Sequence, residues 1–157
     1  ENISKPGPWT MGMTGFGEVL PYHENKIELD RTKTDKWGLP VLSFDAQLRE
    51  NEEKMRLDMR QDAVEMLESA GFKDVSGWES DYALGMGIHE MGTARMGTAP
   101  ENSVLNKWNQ VWEAPNVFVT DGAAMTSASC VNPSLTYMAM TARAADHAVK
   151  ELKKGNL

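Results

Sequence analysis

Residues 87–98, GIHEMGTARMGT, place one histidine beside a carboxylate in a run rich in glycine, threonine and methionine. Histidine can bind a metal, transfer a proton near neutral pH, or stand as an ordinary side chain in a tight loop. A zinc-binding helix of the H-E-x-x-H type needs a second histidine four residues after the first, and Thr93 occupies that position. The spacing excludes this metal motif and leaves His89 as either a general base or a structural histidine.

Other chemical patterns in the sequence are incomplete. Gly85 and Gly87 begin a dinucleotide fingerprint, but Glu90 stands where the third glycine is required. The small-residue turn at 126–130 lacks the G-x-S-x-G pattern that exposes a nucleophilic serine. Cys130 is the one cysteine, so it forms neither an internal disulfide nor a cysteine-based zinc site.

The composition limits the class of protein. The 157 residues are 41% hydrophobic and 25% charged, which is typical of a globular domain or of a piece of a larger protein. A formal net charge of −7 argues against a nucleic-acid partner, because proteins that bind phosphate backbones cluster Lys and Arg. No apolar run approaches the roughly 20 residues that cross a bilayer, so the sequence predicts no transmembrane segment in this chain.

The elements that must position His89 begin with an antiparallel sheet and a helix. Residues 26–30 alternate polar and apolar side chains, and residues 41–44 form a second strand-like run. From Asn51, which is a favoured N-cap residue, apolar side chains recur at helical spacing until Gly71 supplies a stop signal. We expect these side chains to pack in the core rather than to line a ligand groove: Met55, Met59, Ala63, Met66 and Leu67.

The region around and after His89 is irregular and then ends in a strand. Residues 85–116 are punctuated by glycine and proline, and a loop of this length in a compact domain commonly has a function of its own. The apolar β-branched run at 117–120 stops at Asp121 and Gly122, as a buried parallel strand does.

The clearest predicted element is a long C-terminal helix over residues 133–153. Asn132 would be its N-cap, Pro133 its first residue and Gly155 its terminator. The free N–H groups and partial positive charge of such a helix start can hold an anion or an electron-rich ring edge. One apolar face of the helix is formed by Leu135, Met138, Ala142, Ala145, Val149 and Leu152.

Three motifs, in order along the chain, resemble the glucose-methanol-choline (GMC) family of FAD-dependent alcohol oxidoreductases. They are MTGFGEVLPYHENKIELD with DKWGLPV, then HEMGTARMG, and then NVFVTDGAAMTSASCVNPSLTYMAMTARAADHAV. The resemblance extends over residues 14–149, and in that family the corresponding region is the C-terminal part of the polypeptide. The G-x-G-x-x-G segment that binds the ADP half of FAD lies outside this chain, so we expect a fragment of a longer enzyme.

The resemblance implies an α+β fold made of parts of two domains. Residues 1–96, with an antiparallel sheet and a helix, would be the C-terminal part of the substrate-binding domain. Residues 97–157 would close the FAD-binding α/β domain with its last strand, near 117–120, and its long C-terminal helix. The implied partner is the N-terminal FAD-binding part of the same enzyme, and we expect the isolated chain to lack both FAD and activity.

The resemblance also implies roles for individual residues. His89 matches the catalytic histidine that accepts the hydroxyl proton of the substrate. Asn132 matches a second catalytic position, and we expect its side chain to face the substrate rather than to cap its own helix. The implied cofactor-binding residues are Asp121, Gly122, Asn132, Pro133 and Leu135, and no metal ligand is implied.

The implied reaction is the oxidation of an alcohol group of a sugar, polyol or other small molecule by proton abstraction and hydride transfer to FAD. An external electron acceptor would then reoxidise the enzyme. The motif variants are more similar to bacterial sugar and polyol dehydrogenases than to the oxidases with histidine at the second position. Two alternatives stay open: an interaction module that docks through residues 85–116, and a metal-dependent hydrolase with further ligands around His89.

Overall fold

The computed structural model describes residues 4–80 and 82–157 and has the α+β fold that the sequence predicts. Two small antiparallel sheets and two long helices make up the regular structure, with a short 3-10 helix at Gly122–Ala124. Within the described residues, no helix is both long and apolar enough to cross a membrane. The other elements are β1 (Lys26–Thr34), β2 (Pro40–Asp45), α1 (Glu50–Ser69), β3 (Gln110–Val111), β4 (Ala114–Phe118) and α2 (Ser134–Lys154).

Strands β1 and β2 form the antiparallel hairpin that the alternating pattern predicts. Ile27 is paired with Phe44, and Leu29 with Leu42, so these four side chains share one face of the hairpin. All four are exposed. The apolar face of the hairpin is therefore not covered by the part of the chain that the structure describes.

The N-cap of helix α1 lies two residues earlier than expected, and the prediction that Asn51 holds that position is wrong. The N-cap is Arg49, whose backbone N–H donates to a carboxylate oxygen of Glu52 at 3.0 Å. Asn51 lies inside the first turn, where its side-chain amide donates to the same carboxylate at 3.2 Å. The helix ends where the sequence predicts a stop, with Gly71 at a φ of +89°.

The carboxylate of Glu52 is buried and ties α1 to the segment that precedes β1. It accepts hydrogen bonds from the backbone N–H of Leu20 and the hydroxyl of Tyr22, both at 3.2 Å, as well as those from Arg49 and Asn51. Burial by itself would raise the pKa of Glu52, but these hydrogen bonds outweigh it and the pKa is lowered. Glu52 is thus a charged structural anchor.

Met55 and Met59 on α1 pack against the preceding segment of the chain, but both are half-buried rather than fully buried in a core. A methyl group added at Gly17 would come within 2.5 Å of Met55 Cε, and one at Gly15 within 3.0 Å of Met59 Sδ, so both thioethers lie against residues 15–17. Met66 is 58% exposed, and its assignment to the core is wrong. The helical spacing predicts which face of α1 is apolar. It does not predict that the segment around residues 15–17 covers Met55 and Met59 but leaves Met66 exposed.

The strand expected at 117–120 lies earlier, at β4, and it is not parallel to a neighbour within the described residues. It pairs antiparallel with β3, because the two strands are joined by a turn of two residues. Val117 is 44% exposed rather than buried. Leu105, which is fully buried, lies between Met96 and β3 and forms the small core of this region.

Helix α2 is confirmed, with bounds one residue later than expected and with Gly155 in the left-handed conformation at its end. The prediction that Asn132 is the N-cap is wrong: Pro133 holds that position, and the first helical hydrogen bond runs from the N–H of Tyr137 to the carbonyl of Pro133 at 3.1 Å. The Asn132 side chain is therefore not used to cap the helix.

The apolar face of α2 points away from the rest of the described chain. Leu135 is 79% exposed and Leu152 is 62% exposed, and the other residues of the predicted stripe are exposed as well. The side of the helix that packs within the chain carries Tyr137, Ala144 and His147, and His147 is stacked on the Trp108 ring at 4.5 Å. The pattern predicted the face correctly, but this chain does not cover it.

Candidate active site

Residues 89–96, the His89 segment, run beside the 3-10 helix that follows Asp121. Three backbone N–H groups at residues 92, 94 and 96 donate to the carbonyls of residues 122, 123 and 124, at 3.4, 3.0 and 3.0 Å. Two stretches that the sequence singles out separately therefore form one unit. Asp121 supports the turn itself, because its carboxylate accepts the N–H of Ala123 at 3.0 Å.

Gly122 is buried at the closest approach in this unit. A methyl group at this position would lie 2.8 Å from Met91 Sδ, 3.0 Å from the Glu90 carbonyl oxygen and 3.0 Å from the Tyr137 hydroxyl. The sulfur contact is shorter than real side chains make and the two oxygen contacts are very tight, so a side chain here would force its neighbours to shift. The Asp121-Gly122 pair is thus explained by the contact between the His89 segment and α2.

His89 itself is half-buried and lies just before this contact. Within the described residues its imidazole makes no side-chain hydrogen bond, so its ring nitrogens are not committed to a protein partner. The neighbouring Glu90 side chain turns toward the backbone of Gly87, where an added methyl group would be 3.1 Å from its carboxylate. An uncommitted imidazole is what a proton-accepting base requires.

The start of α2 presents the other predicted residues. Asn132 is exposed, Pro133 is buried, and Leu135 is exposed on the first turn. That turn carries no acidic residue and no side-chain cap, so no side chain of the turn itself neutralises the positive end of the helix dipole. Such a helix start can accept an electron-rich group.

The His89 segment is connected to the start of α2 by one side-chain hydrogen bond, which does not involve His89 or Asn132 directly. Tyr137, on the first turn of α2, donates its hydroxyl to Met91 Sδ at 3.4 Å. Burial, and then the negative charge of Asp121, raise the pKa of Tyr137. Within the described residues, no hydrogen bond joins His89 to Asn132. The His89 segment, Gly122 and the start of α2 are brought together, with Tyr137 between them.

Asn109 is a fully buried residue that the sequence reasoning missed. Its side-chain amide donates to the Val119 carbonyl at 3.0 Å and accepts from Arg143 Nη2 at 3.1 Å, with a backbone φ of +63°. It thereby fixes the end of the β4 region to α2. The sequence feature that could have indicated Asn109 is an asparagine in a turn, since asparagine tolerates a positive φ better than most residues.

Glu18 is a second residue without a sequence signal of its own. Its carboxylate accepts the backbone N–H of Ser129 at 3.2 Å, across 111 residues of sequence. Ser129 has a φ of +52° and lies three residues before Asn132. This bond ties the early GFGE stretch to the loop that leads into α2.

No group of three or more histidine, cysteine, aspartate or glutamate side chains in the described ranges, 4–80 and 82–157, is arranged to hold a metal ion. Cys130 is free and exposed. His23 is exposed, and His147 is half-buried against the Trp108 ring.

Comparison with known proteins gives the family context. A family model described as GMC oxidoreductase matches residues 21–141. The chain is 36% identical to 2-methyl-1,2-propanediol dehydrogenase of Mycolicibacterium austroafricanum over 84% of this chain and 24% of that protein. It is 30% identical to the fructose dehydrogenase large subunit of Gluconobacter japonicus over 88% and 25%. It is 34% identical to paromamine 6'-oxidase of Streptomyces fradiae over 80% and 23%. The chain spans about a quarter of the length of these curated relatives.

Proposed function

Because the chain belongs to the GMC oxidoreductase family, we propose that it is the C-terminal part of a flavoenzyme that oxidises an alcohol group of a small molecule. The observation that carries the proposal is the packing of the His89 segment on Gly122 and on the first turn of α2. Because of this packing, the His89 segment lies next to Asp121 and Gly122, two of the residues proposed to bind the cofactor. Residues 1–96 would belong to the substrate-binding domain and residues 97–157 to the FAD-binding domain.

His89 is the base of the proposed reaction. Its imidazole takes the hydroxyl proton of the substrate as the hydride leaves the carbon, and histidine suits this step because it titrates near neutral pH. The absence of a protein hydrogen bond to the imidazole within the described residues supports the role. Asn132, whose side chain is exposed and does not cap α2, donates a hydrogen bond to the substrate oxygen and stabilises its developing negative charge.

The residues at the start of α2 fit FAD, which when bound accepts the hydride. The uncapped first turn, without an acidic residue, offers partial positive charge to the electron-rich pyrimidine edge of the ring. Gly122 keeps the turn after Asp121 compact, and Pro133 and Leu135 form the adjoining surface. These residues would orient the ring relative to His89, and the ADP half would be held by the remainder of the polypeptide.

Two exposed apolar faces support the proposal of a larger protein. One is the hairpin face of β1 and β2, and the other is the α2 stripe that includes Leu135 and Leu152. Contiguous apolar surface of this kind marks an interface. We assign both to contacts with the preceding FAD-binding part of the same enzyme, which the chain's share of its relatives' length also supports.

The proposed substrate class is a small polyhydroxy compound, such as a sugar, polyol or diol. The names of the relatives, a propanediol dehydrogenase, a fructose dehydrogenase subunit and a paromamine oxidase, support this class. An external electron acceptor completes the turnover. Asparagine at position 132 favours a dehydrogenase rather than an oxidase with histidine there.

The proposal is tested by rapid mixing of the full-length enzyme with diols and sugars, following flavin absorbance without an electron acceptor. We expect at least one alcohol to reduce the flavin. His89→Asn should retain bound FAD and slow reduction by about 100-fold or more, the range for loss of a general base. Unchanged reduction in the variant would contradict the assignment of His89. His23→Asn, at an exposed histidine outside the site, is the matched control.

A further inference from the structure

The backbone that carries His89 has few attachments of its own. The hydrogen bonds between the His89 segment and residues 122–124 begin at Gly92. Within the described part of the chain, residues 89–91 take part in one further hydrogen bond, from the Tyr137 hydroxyl to Met91 Sδ at 3.4 Å. We infer that Tyr137 is a positioning residue for His89, holding Met91 and thereby the two preceding residues in place. The inference rests on the proposed function, because it concerns the base of that reaction.

The surroundings of Gly122 explain how the contact between Tyr137 and Met91 can position the backbone at His89. The Met91 sulfur, the Glu90 carbonyl and the Tyr137 hydroxyl all converge on its α-carbon, within 3.0 Å of where a side chain would begin. The three groups fill the space that the missing side chain leaves, so the Met91 thioether packs against Gly122. The Tyr137 hydroxyl holds the sulfur in this arrangement, and a shift of the Met91 backbone would be transmitted through Glu90 to His89.

The Tyr137 hydroxyl can donate a hydrogen bond over the whole pH range in which the enzyme would work. Burial and the charge of Asp121 raise the pKa of Tyr137, so the hydroxyl keeps its proton across the range in which histidine titrates. Phenylalanine at this position would fill the same space without holding the sulfur. The effect of Tyr137 on the proposed reaction would reach His89 through its contact with Met91.

The test is a double-mutant cycle in the full-length enzyme with Tyr137→Phe and Met91→Leu, which removes the sulfur at nearly constant volume. Each single variant should slow flavin reduction at saturating alcohol by about fivefold, the change expected for loss of one hydrogen bond. The double variant should be no slower than the slower single variant, because both remove the same contact. Independent losses that multiply in the double variant would overturn the inference.

A second readout does not depend on turnover. Acylation of histidines by diethyl pyrocarbonate, followed residue by residue with mass spectrometry, reports the accessibility and environment of His89, with exposed His23 as the internal reference. The His89 to His23 rate ratio should change in both single variants, and an unchanged ratio would overturn the inference. If no alcohol reduced the wild-type flavin, the proposed function would fail while this ratio still tested the positioning role.

Tyr22→Phe is the matched control, because it also removes one tyrosine hydroxyl hydrogen bond, to Glu52 at 3.2 Å. Tyr22 precedes β1 and contacts the first turn of α1 rather than the His89 segment. We expect this variant to lower thermal stability but to keep both the reduction rate and the acylation ratio of the wild type. The same loss of reduction rate in both tyrosine variants would show a general effect of stability and overturn the positioning role.

Discussion

Replacement of Gly122 by alanine is the most direct perturbation of the contact on which the site is built. The new methyl group would lie 2.8 Å from Met91 Sδ and 3.0 Å from both the Glu90 carbonyl and the Tyr137 hydroxyl. The thioether can rotate away, but the carbonyl belongs to the backbone directly after His89 and cannot. Overpacking of this kind costs about 1–3 kcal/mol of folding stability. Relief requires the backbone next to His89 to shift by a few tenths of an ångström. Because a 1 Å misplacement costs about 100-fold in rate, this smaller shift should cost about 10-fold.

The assay is flavin reduction by saturating alcohol in the full-length enzyme, with thermal unfolding measured in parallel. We expect Gly122→Ala to slow reduction by about 10-fold while the FAD content is retained. Gly12→Ala is the matched control, because no atom lies within 4 Å of its added methyl group. Equal rates for the two alanine variants would refute the packing argument, since the structure gives them opposite surroundings.

Three further predictions follow from single residues. Asn109→Ala leaves the Val119 carbonyl and the Arg143 guanidinium without their partner and should lower the free energy of unfolding by about 2–3 kcal/mol, measured by denaturant titration; a loss below 0.5 kcal/mol would contradict it. Glu52, whose pKa is lowered in the folded state, contributes stability that is present above its unfolded pKa and is lost as pH falls through the folded value. The difference in Tm between wild type and Glu52→Gln should therefore be largest near pH 7 and shrink below about pH 4, and a difference independent of pH would be the contrary result. Glu18→Ala removes the acceptor of the Ser129 N–H and should speed limited proteolysis at residues 127–132, with Glu24→Ala, an exposed carboxylate on another loop, cleaved at the wild-type rate.

The parts of the fold that the sequence predicts correctly are those set by local patterns. Alternation over residues 26–30 predicts β1, and the apolar spacing from residue 135 predicts α2 to within a residue at each end. The capping assignments of Asn51 and Asn132 were wrong, because a favoured cap residue competes with its neighbours for the position. At α2 the buried Pro133 takes it, and at α1 Arg49 takes it and donates its own backbone N–H to the Glu52 carboxylate.

The contacts that the sequence could not predict join residues far apart in the chain. The Glu18 carboxylate meets Ser129 across 111 residues, and Arg143 meets Asn109 across 34. No local periodicity encodes such pairs. The exposed apolar stripe on α2 is a related case. The helical spacing predicts which face is apolar, but which surface packs against that face is decided by residues outside the helix. The roles of His89 and Asn132 rest on motif resemblance together with the packing at Gly122.

The central claim is that His89 and the start of α2 face one flavin. The measurement that tests it most directly is an experimental structure of the full-length enzyme with FAD and a non-reacting alcohol analogue. We expect the His89 imidazole and the Asn132 amide both to lie about 3–3.5 Å from the analogue's hydroxyl oxygen, with the first turn of α2 against the pyrimidine edge of the ring. A His89 imidazole directed away from the ring, or a flavin bound elsewhere than at the start of α2, would contradict it.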